Sequence, residues 1–221
     1  MVFEYLKEAK ATKITIVGEQ YNHLFKARRH KVEEIINFSN LQDGYIYKYK
    51  IETIDKKEAI ATLQEIQEYP FKPKKSLHVA LCVIDIKNIE KILPFLNELG
   101  IEKISLIYCK RSQSNFKINF ERVKNILISS CTQCGRNNLL EIKEYKNLKE
   151  FLKEYPDSFV FNFSTNYITN QQIKTIIIGS EGGFCDEELN LFNKEKIVGI
   201  ESNLILKSET ASIVAASKIL F

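Results

Sequence analysis

The sequence predicts an α/β protein in two parts, a small β-rich unit followed by a larger unit of alternating strands and helices. Three observations carry this. Stretches of residues 1–68 alternate apolar and polar residues, whereas after residue 76 short apolar runs alternate with helical spacings. Between them YPFKPKK (69–75) holds two of the four prolines and three lysines, a linker composition, because Pro fixes φ and removes a donor. The expected division is 1–70 and 76–221.

In the first part, TKITIV (12–17) and GYIYKYKIETI (44–54) read as half-buried strands, with Asp43-Gly44 as the turn before the second. AIATLQEIQE (59–68) fits a strand or a short helix. In the second part, LHVALCVI (77–84) is a strand and NIEKILPFLNELG (88–100) a helix closed by Gly100, with a kink expected at Pro94. KISLIYC (103–109) is a strand and FERVKNILISSCTQCG (120–135) a helix. SFVFNF (158–163) and KTIIIG (174–179) are strands, DEELNLFNK (186–194) a helix, KIVGI (196–200) a short strand and SETASIVAASKILF (208–221) a closing helix. Strands and helices in this order imply a mostly parallel sheet covered on both faces.

The bulk numbers fit a folded chain of one large or two smaller domains: 221 residues, 44% hydrophobic and 27% charged. No run of 18 apolar residues suggests a membrane span, and MVFEYLKEAK lacks the apolar core of a signal peptide, so a cytoplasmic protein is expected. The five cysteines are odd in number and scattered, which argues against a disulfide framework. Cys131 and Cys134 form one C-x-x-C with no second pair to complete a zinc site, so no metal is expected. Net charge is +4, concentrated early: residues 1–75 hold 14 Lys/Arg against 11 Asp/Glu, and 76–221 hold 18 against 17. This is a mild sign of a polyanionic partner.

Two loops carry chemistry. IIIGSEGGF (176–184) runs from an apolar strand into Gly179-Ser-Glu-Gly-Gly183. It lacks the glycine spacing of a dinucleotide turn and the G-K-[ST] of a phosphate loop, and Glu181 would repel an anion. It is either a tight turn or a place where backbone approaches a cationic or hydrogen-bonding ligand. The second, LILKSETA (204–211), opens the last helix with Ser208 as the expected N-cap and Glu209 in the first turn, where negative charge suits the helix dipole. Lys207 stands at the same positive end, a placement the dipole does not favour.

Together these loops resemble a known family. IIIGSEGGFCDEEL is similar to the I-G-P-E-G-G-F-S-x-x-E motif of the ribosomal RNA small-subunit uridine N3-methyltransferases, the RsmE family, and LILKSETASIVAAS to its R-I-L-R-x-E-T-A motif. NELGIEKI (97–104), KRSQ (110–113), ERVKNILISSCTQCGR (121–136) and YNHLFKARRHKVEEI (21–35) resemble further segments in the family's order. The resemblance implies an N-terminal PUA-like β-barrel and a C-terminal SPOUT-type α/β domain with a trefoil knot, acting as a homodimer. It implies S-adenosylmethionine as cofactor, held by Ile178, Gly179, Glu181, Gly182, Gly183, Ser202, Leu204, Ile205 and Leu206. The implied substrate is one uridine of 16S ribosomal RNA in the small ribosomal subunit. Lys207, Glu209 and Thr210 become the catalytic candidates, and Arg28, Arg29, Lys31, Arg111 and Arg136 the RNA-binding ones.

The sequence departs from the family's motifs at Ser180 (proline in the motif, so a looser loop is expected), Cys185 (serine), Ser202 (glycine), Leu204 and Lys207 (both arginine). These departures leave a second reading, an RNA- or ribosome-binding protein that has lost catalysis.

Overall fold

The computed structural model describes residues 2–113, 117–169 and 171–221. They fall into two units, Met1–Lys72 with Ile128–Leu139, and Pro73–Leu127 with Leu140–Phe221.

In the first unit the period-two stretches pair into a five-stranded sheet. Its strands are β1 (Glu4–Tyr5), β2 (Lys13–Val17), β3 (Ile35–Ser39), β4 (Tyr45–Ile54) and β5 (Glu58–Glu68), in the order β1-β3-β4-β5-β2. β1 runs parallel to β3, and the other pairs are antiparallel. Residues 59–68, open to either reading, are strand: they take the register Ala59↔Ile54 to Glu68↔Tyr45 along β4, with two shifts that bend the pair. Alternate side chains turn inward, so Ile14, Ile16, Phe38, Tyr49, Ile51 and Ala61 form the core with Leu24. Leu24 comes from the π-helical turn Asn22–Ala27, which follows α1 (Gly18–Tyr21).

The segment 128–139 joins this unit although it lies far along the chain. Cys131 packs with Phe3, Leu41 and Ile46. The Ser39 hydroxyl bonds Asn137 Oδ1, and Asn137 Nδ2 donates to the Tyr69 carbonyl at 3.0 Å. The C-x-x-C is thereby split, with Cys131 in the core and Cys134 exposed on the same helix.

The second unit contains β6 (His78–Cys82), α2 (Ile86–Leu99), β7 (Lys103–Ile107), the start of α3 (Phe120–Cys134), β8 (Glu141–Tyr145) and α4 (Leu148–Glu154). β9 (Phe159–Phe161), β10 (Thr175–Ile178), α5 (Asp186–Leu189), β11 (Ile197–Val198) and α6 (Ser208–Leu220) complete it. The sheet is parallel throughout, in the order β11-β9-β10-β6-β7-β8. β6 is buried along its whole length, as its unbroken apolar run requires of a strand covered on both faces. Asp85 caps α2 by accepting from Lys87 N at 2.8 Å.

Three expectations change here. β8 and α4 fall where the sequence offers no clear element. β8 is a charged edge strand of which only Tyr145 is buried, so it carries almost no periodic signal. The helix expected over 186–194 stops at Leu189: Asn193 caps a separate 3-10 turn, accepting from Glu195 N at 3.0 Å, and Phe192 turns in against Phe184. Finally, Cys82 and Cys109 are joined in a disulfide. The scatter of cysteines along the chain concealed this pairing, because adjacent parallel strands bring the C-terminal end of β6 beside the residues that follow β7.

Beneath α4 sits a buried histidine. His78 Nε2 lies 2.8 Å from Ser105 Oγ, and its ring packs edge-on against Phe151 and Tyr155. Burial, aided by the Lys103 charge, lowers its pKa from 6.5 to about 4. The folded state therefore binds fewer protons than the unfolded chain between these values, and stability rises with pH across that window. Unfolding free energies from urea titrations between pH 7.5 and pH 4 are expected to fall below pH 6.5, by up to about 3 kcal/mol in total from this residue. His78→Phe should flatten that part of the profile.

Candidate functional site

Parallel pairing aligns three strand ends. Ile178 of β10 stands opposite Phe161 of β9, and Phe161 opposite Val198 of β11. The segments that leave these ends, 162–163, 179–183 and 199–206, therefore start at one level. They enclose a cavity of about 360 Å³ at the C-terminal edge of the sheet, where open parallel sheets bind ligands.

Gly179–Gly183 forms one wall. Gly183 has φ +65°, which favours glycine, and its N–H closes a turn on the Ser180 carbonyl at 2.8 Å. The loop is tied to Arg111 in both directions. Arg111 Nη1 donates to the Gly182 carbonyl at 2.8 Å, and Ser180 Oγ donates to the Arg111 carbonyl at 3.2 Å. Ser180 is buried, so the serine that replaces the motif's proline tethers the loop where a looser one was expected. Glu188 extends the tether. Its buried carboxylate accepts from Lys110 N at 2.8 Å and from Cys185 N at 3.0 Å, the second bond closing a capping box at the start of α5. On the surface beside it, a 2.6 Å pair of Lys110 with Glu187 holds the Glu187 carboxyl below its usual range and raises the Lys110 ammonium.

The opposite wall is 202–206. Ser202 Oγ accepts from Leu204 N at 3.1 Å and folds the segment back. Leu204 and Ile205 are 78% and 80% exposed. All nine residues expected to hold a cofactor, Ile178, Gly179, Glu181, Gly182, Gly183, Ser202, Leu204, Ile205 and Leu206, line this one cavity. The sequence reading missed Phe161, Asn162 and Phe163, which also line it. Their position just past a strand's C-terminal end was the available signal.

Lys207, Glu209 and Thr210 are not among the described residues that line the cavity; their neighbours Ser208 and Ala211 are. The helix cap also differs from expectation. Lys207 occupies the N-cap position with no side-chain cap, while Ser208 is the first residue of α6, buried, with its carbonyl accepting from Ser212 Oγ at 2.8 Å. Glu209 Oε2 is buried and lacks a hydrogen-bond partner among the described residues, a cost of about 1–3 kcal/mol that a bound donor would remove.

The expected RNA contacts separate. Arg28 pairs with Glu4 at 3.0 Å, whereas Arg29 and Lys31 are exposed, Arg29 at φ +62°. Arg111 serves the glycine loop. Arg136, unlike Arg29 and Lys31, is only 3% exposed: it stacks over the Phe71 ring at 4.4 Å and donates to Asn138 Oδ1 at 2.9 Å. Among the described residues no three His, Cys, Asp or Glu side chains are grouped to hold a metal ion, and no helix is long and apolar enough to cross a membrane.

Residues 71–220 match the RNA methyltransferase domain family, and residues 16–64 match the RNA methyltransferase PUA domain family. The chain is 44% identical over 222 residues to the ribosomal RNA small subunit methyltransferase E of Helicobacter pylori strain J99, covering 98% of each chain. It is 26% identical to the protein of the same name from Aquifex aeolicus, over 95% of this chain and 94% of that one. Among solved structures, a probable rRNA-methyltransferase from Porphyromonas gingivalis superposes with TM-score 0.84 at 18% identity, over 99% and 97% of the chains. A ribosomal RNA small subunit methyltransferase E from Neisseria gonorrhoeae, bound to S-adenosyl methionine, superposes with TM-score 0.81 at 18% identity, over 98% and 95%. At these identities the two superpositions speak for the fold.

Glu188→Ala removes the acceptor of two backbone amides. It is expected to lower unfolding free energy by about 1–3 kcal/mol in denaturant titration. Hydrogen exchange at the amides of Lys110 and Cys185 should accelerate in the same variant.

Proposed function

We propose, because the chain belongs to the ribosomal RNA small subunit methyltransferase E family, that it transfers a methyl group from S-adenosylmethionine to N3 of one uridine in 16S ribosomal RNA. The observation that supports this reading is the meeting of 178–183 and 202–206 on one cavity. Two loops some twenty residues apart, one of mostly backbone and one of apolar side chains, supply what a nucleoside ligand needs: polar backbone groups at its edges and apolar walls on its faces.

The cofactor fits the residues present. The glycine loop offers backbone N–H and C=O groups, and Leu204, Ile205 and Leu206 offer apolar surface. Bound there, S-adenosylmethionine supplies an electrophilic methyl group. The chain's own part is to deliver N3 in its deprotonated form and in line. The N3 proton of uracil is weakly acidic, and its removal leaves charge on the flanking carbonyl oxygens. Lys207, exposed at the head of α6, stabilises that charge. Glu209 orients the lysine or accepts the proton, and Thr210 completes the group at the start of the helix. Alignment of the two reactants makes the largest contribution.

Arg29 and Lys31 in the first unit, with Arg28 beside them, contact phosphates of the RNA and set its register. The chain works as a homodimer in the cytoplasm, and its second unit carries the trefoil threading that the resemblance implies. Light scattering in solution is expected to give twice the chain mass.

Mass spectrometry of 16S ribosomal RNA from a deletion strain should show loss of one N3-methyluridine, restored by the wild-type gene. Unchanged RNA would remove the reading. Glu209→Ala is expected to lower transfer by about 10² or more while cofactor affinity by calorimetry stays within a few-fold. A variant with wild-type rates would take Glu209 out of the mechanism.

A further inference from the structure

Among the described residues, and apart from the C-terminal Phe221, the three most exposed large hydrophobic side chains gather at one place. Phe163, Leu204 and Ile205 are 79%, 78% and 80% exposed, and all three line the cavity at the end of the sheet. Apart from the C-terminal Phe221, the next most exposed residue of this kind among those described is Ile35, at 57%. Apolar surface left in water at a cavity mouth marks a contact made with a partner.

Phe163 is held outward by a tightly bonded loop. Asn162 N donates to the Val198 carbonyl at 2.9 Å, and Gly199 N donates to the Asn166 carbonyl at 2.9 Å. The Asn166 side chain donates to the carbonyls of Glu195 and Ile197, each at 3.2 Å, and Ser164 Oγ donates to Ile197 O at 3.2 Å. Gly199 allows this contact. A Cβ there would lie 2.5 Å from the Ser164 carbonyl oxygen, so any side chain would push the loop off β11. The backbone that carries the ring is thus fixed on both sides of Phe163, so binding has only side-chain freedom left to remove.

We propose that Phe163 is the platform on which the target pyrimidine stacks. This rests on the methyl-transfer reading above. The cavity, at about 360 Å³, sits at the small end of ligand sites and has room for one molecule of cofactor size. The second reactant is a base on a polymer, which cannot enter whole and meets the mouth. A phenyl ring has a π-face and no polar handle, so it recognises flatness and leaves base identity to other groups. An unstacked base presented from structured RNA needs such a face, because extrusion costs it its neighbours.

The test uses the full chain and 16S ribosomal RNA transcribed with 5-iodouridine in place of uridine, irradiated and mapped by mass spectrometry. A cross-linked peptide containing Phe163 is expected, and Phe163→Ala should lose it. On small subunits from the deletion strain, Phe163→Ala is expected to lower kcat/KM by roughly 10- to 100-fold, as base–aromatic stacking implies. S-adenosylmethionine affinity by calorimetry should fall much less than kcat/KM does, since the exposed ring stands at the rim of the cavity where the base arrives. Phe163→Tyr should recover activity to within about three-fold, and Phe163→Leu should not, because a stacking face is what is needed. Parallel loss of cofactor affinity and kcat/KM in Phe163→Ala would overturn the proposal, as would full activity in that variant or cross-links that map only elsewhere. A wild type that cross-links through Phe163 yet methylates no N3 would remove the proposed reaction and leave the stacking face standing.

Discussion

Parallel pairing with no offset between strand ends is the constraint on which the site depends. β9, β10 and β11 finish together, at Phe161, Ile178 and Val198, so the chain leaves the sheet three times at one level. No loop has to reach far to form the cavity. The burial of β6 and β10 at the middle of the sheet holds that edge in place, since slippage of either strand would unseat side chains packed on both faces.

A second layer of order comes from polar side chains that bond backbone. Arg111 gives a hydrogen bond to the glycine loop and receives one from Ser180, and Glu188 holds the amides on either side of the contact. A glycine-dense segment would otherwise retain much conformational freedom. Here that freedom is removed from outside the loop, leaving its inner backbone groups available. The same device explains how serine stands where the related motif has proline: a buried hydroxyl with a fixed acceptor restrains the turn that a ring would have stiffened.

The two units differ in how they use apolar residues. In the first, alternate residues of the strands turn inward to Leu24, Phe38 and Tyr49, and the core is closed by 128–139, borrowed from the middle of the chain. In the second, the sheet core is equally closed, yet Phe163, Leu204 and Ile205 remain in water at the edge. Burial elsewhere supplies the folding free energy, and these three are left for association.

The sequence by itself determined the presence of a β-rich and an α/β part, most of the strands and helices, and nine of the residues that line the cavity. The elements follow from periodicity and turn residues, and the nine residues from the resemblance of Ile176–Phe184 and Leu204–Ala211 to a known family's motifs. Only the tertiary structure decided what depends on residues distant in sequence. It joined Cys82 to Cys109, buried Arg136 over Phe71, added 128–139 to the first unit and brought Phe163 to the cavity. It also shortened the helix after Cys185, where Phe192 packs edge-on against Phe184. The physical reason is common to all of these: strand pairing and core packing set the neighbours of a residue through space, and a one-dimensional pattern records only its neighbours along the chain.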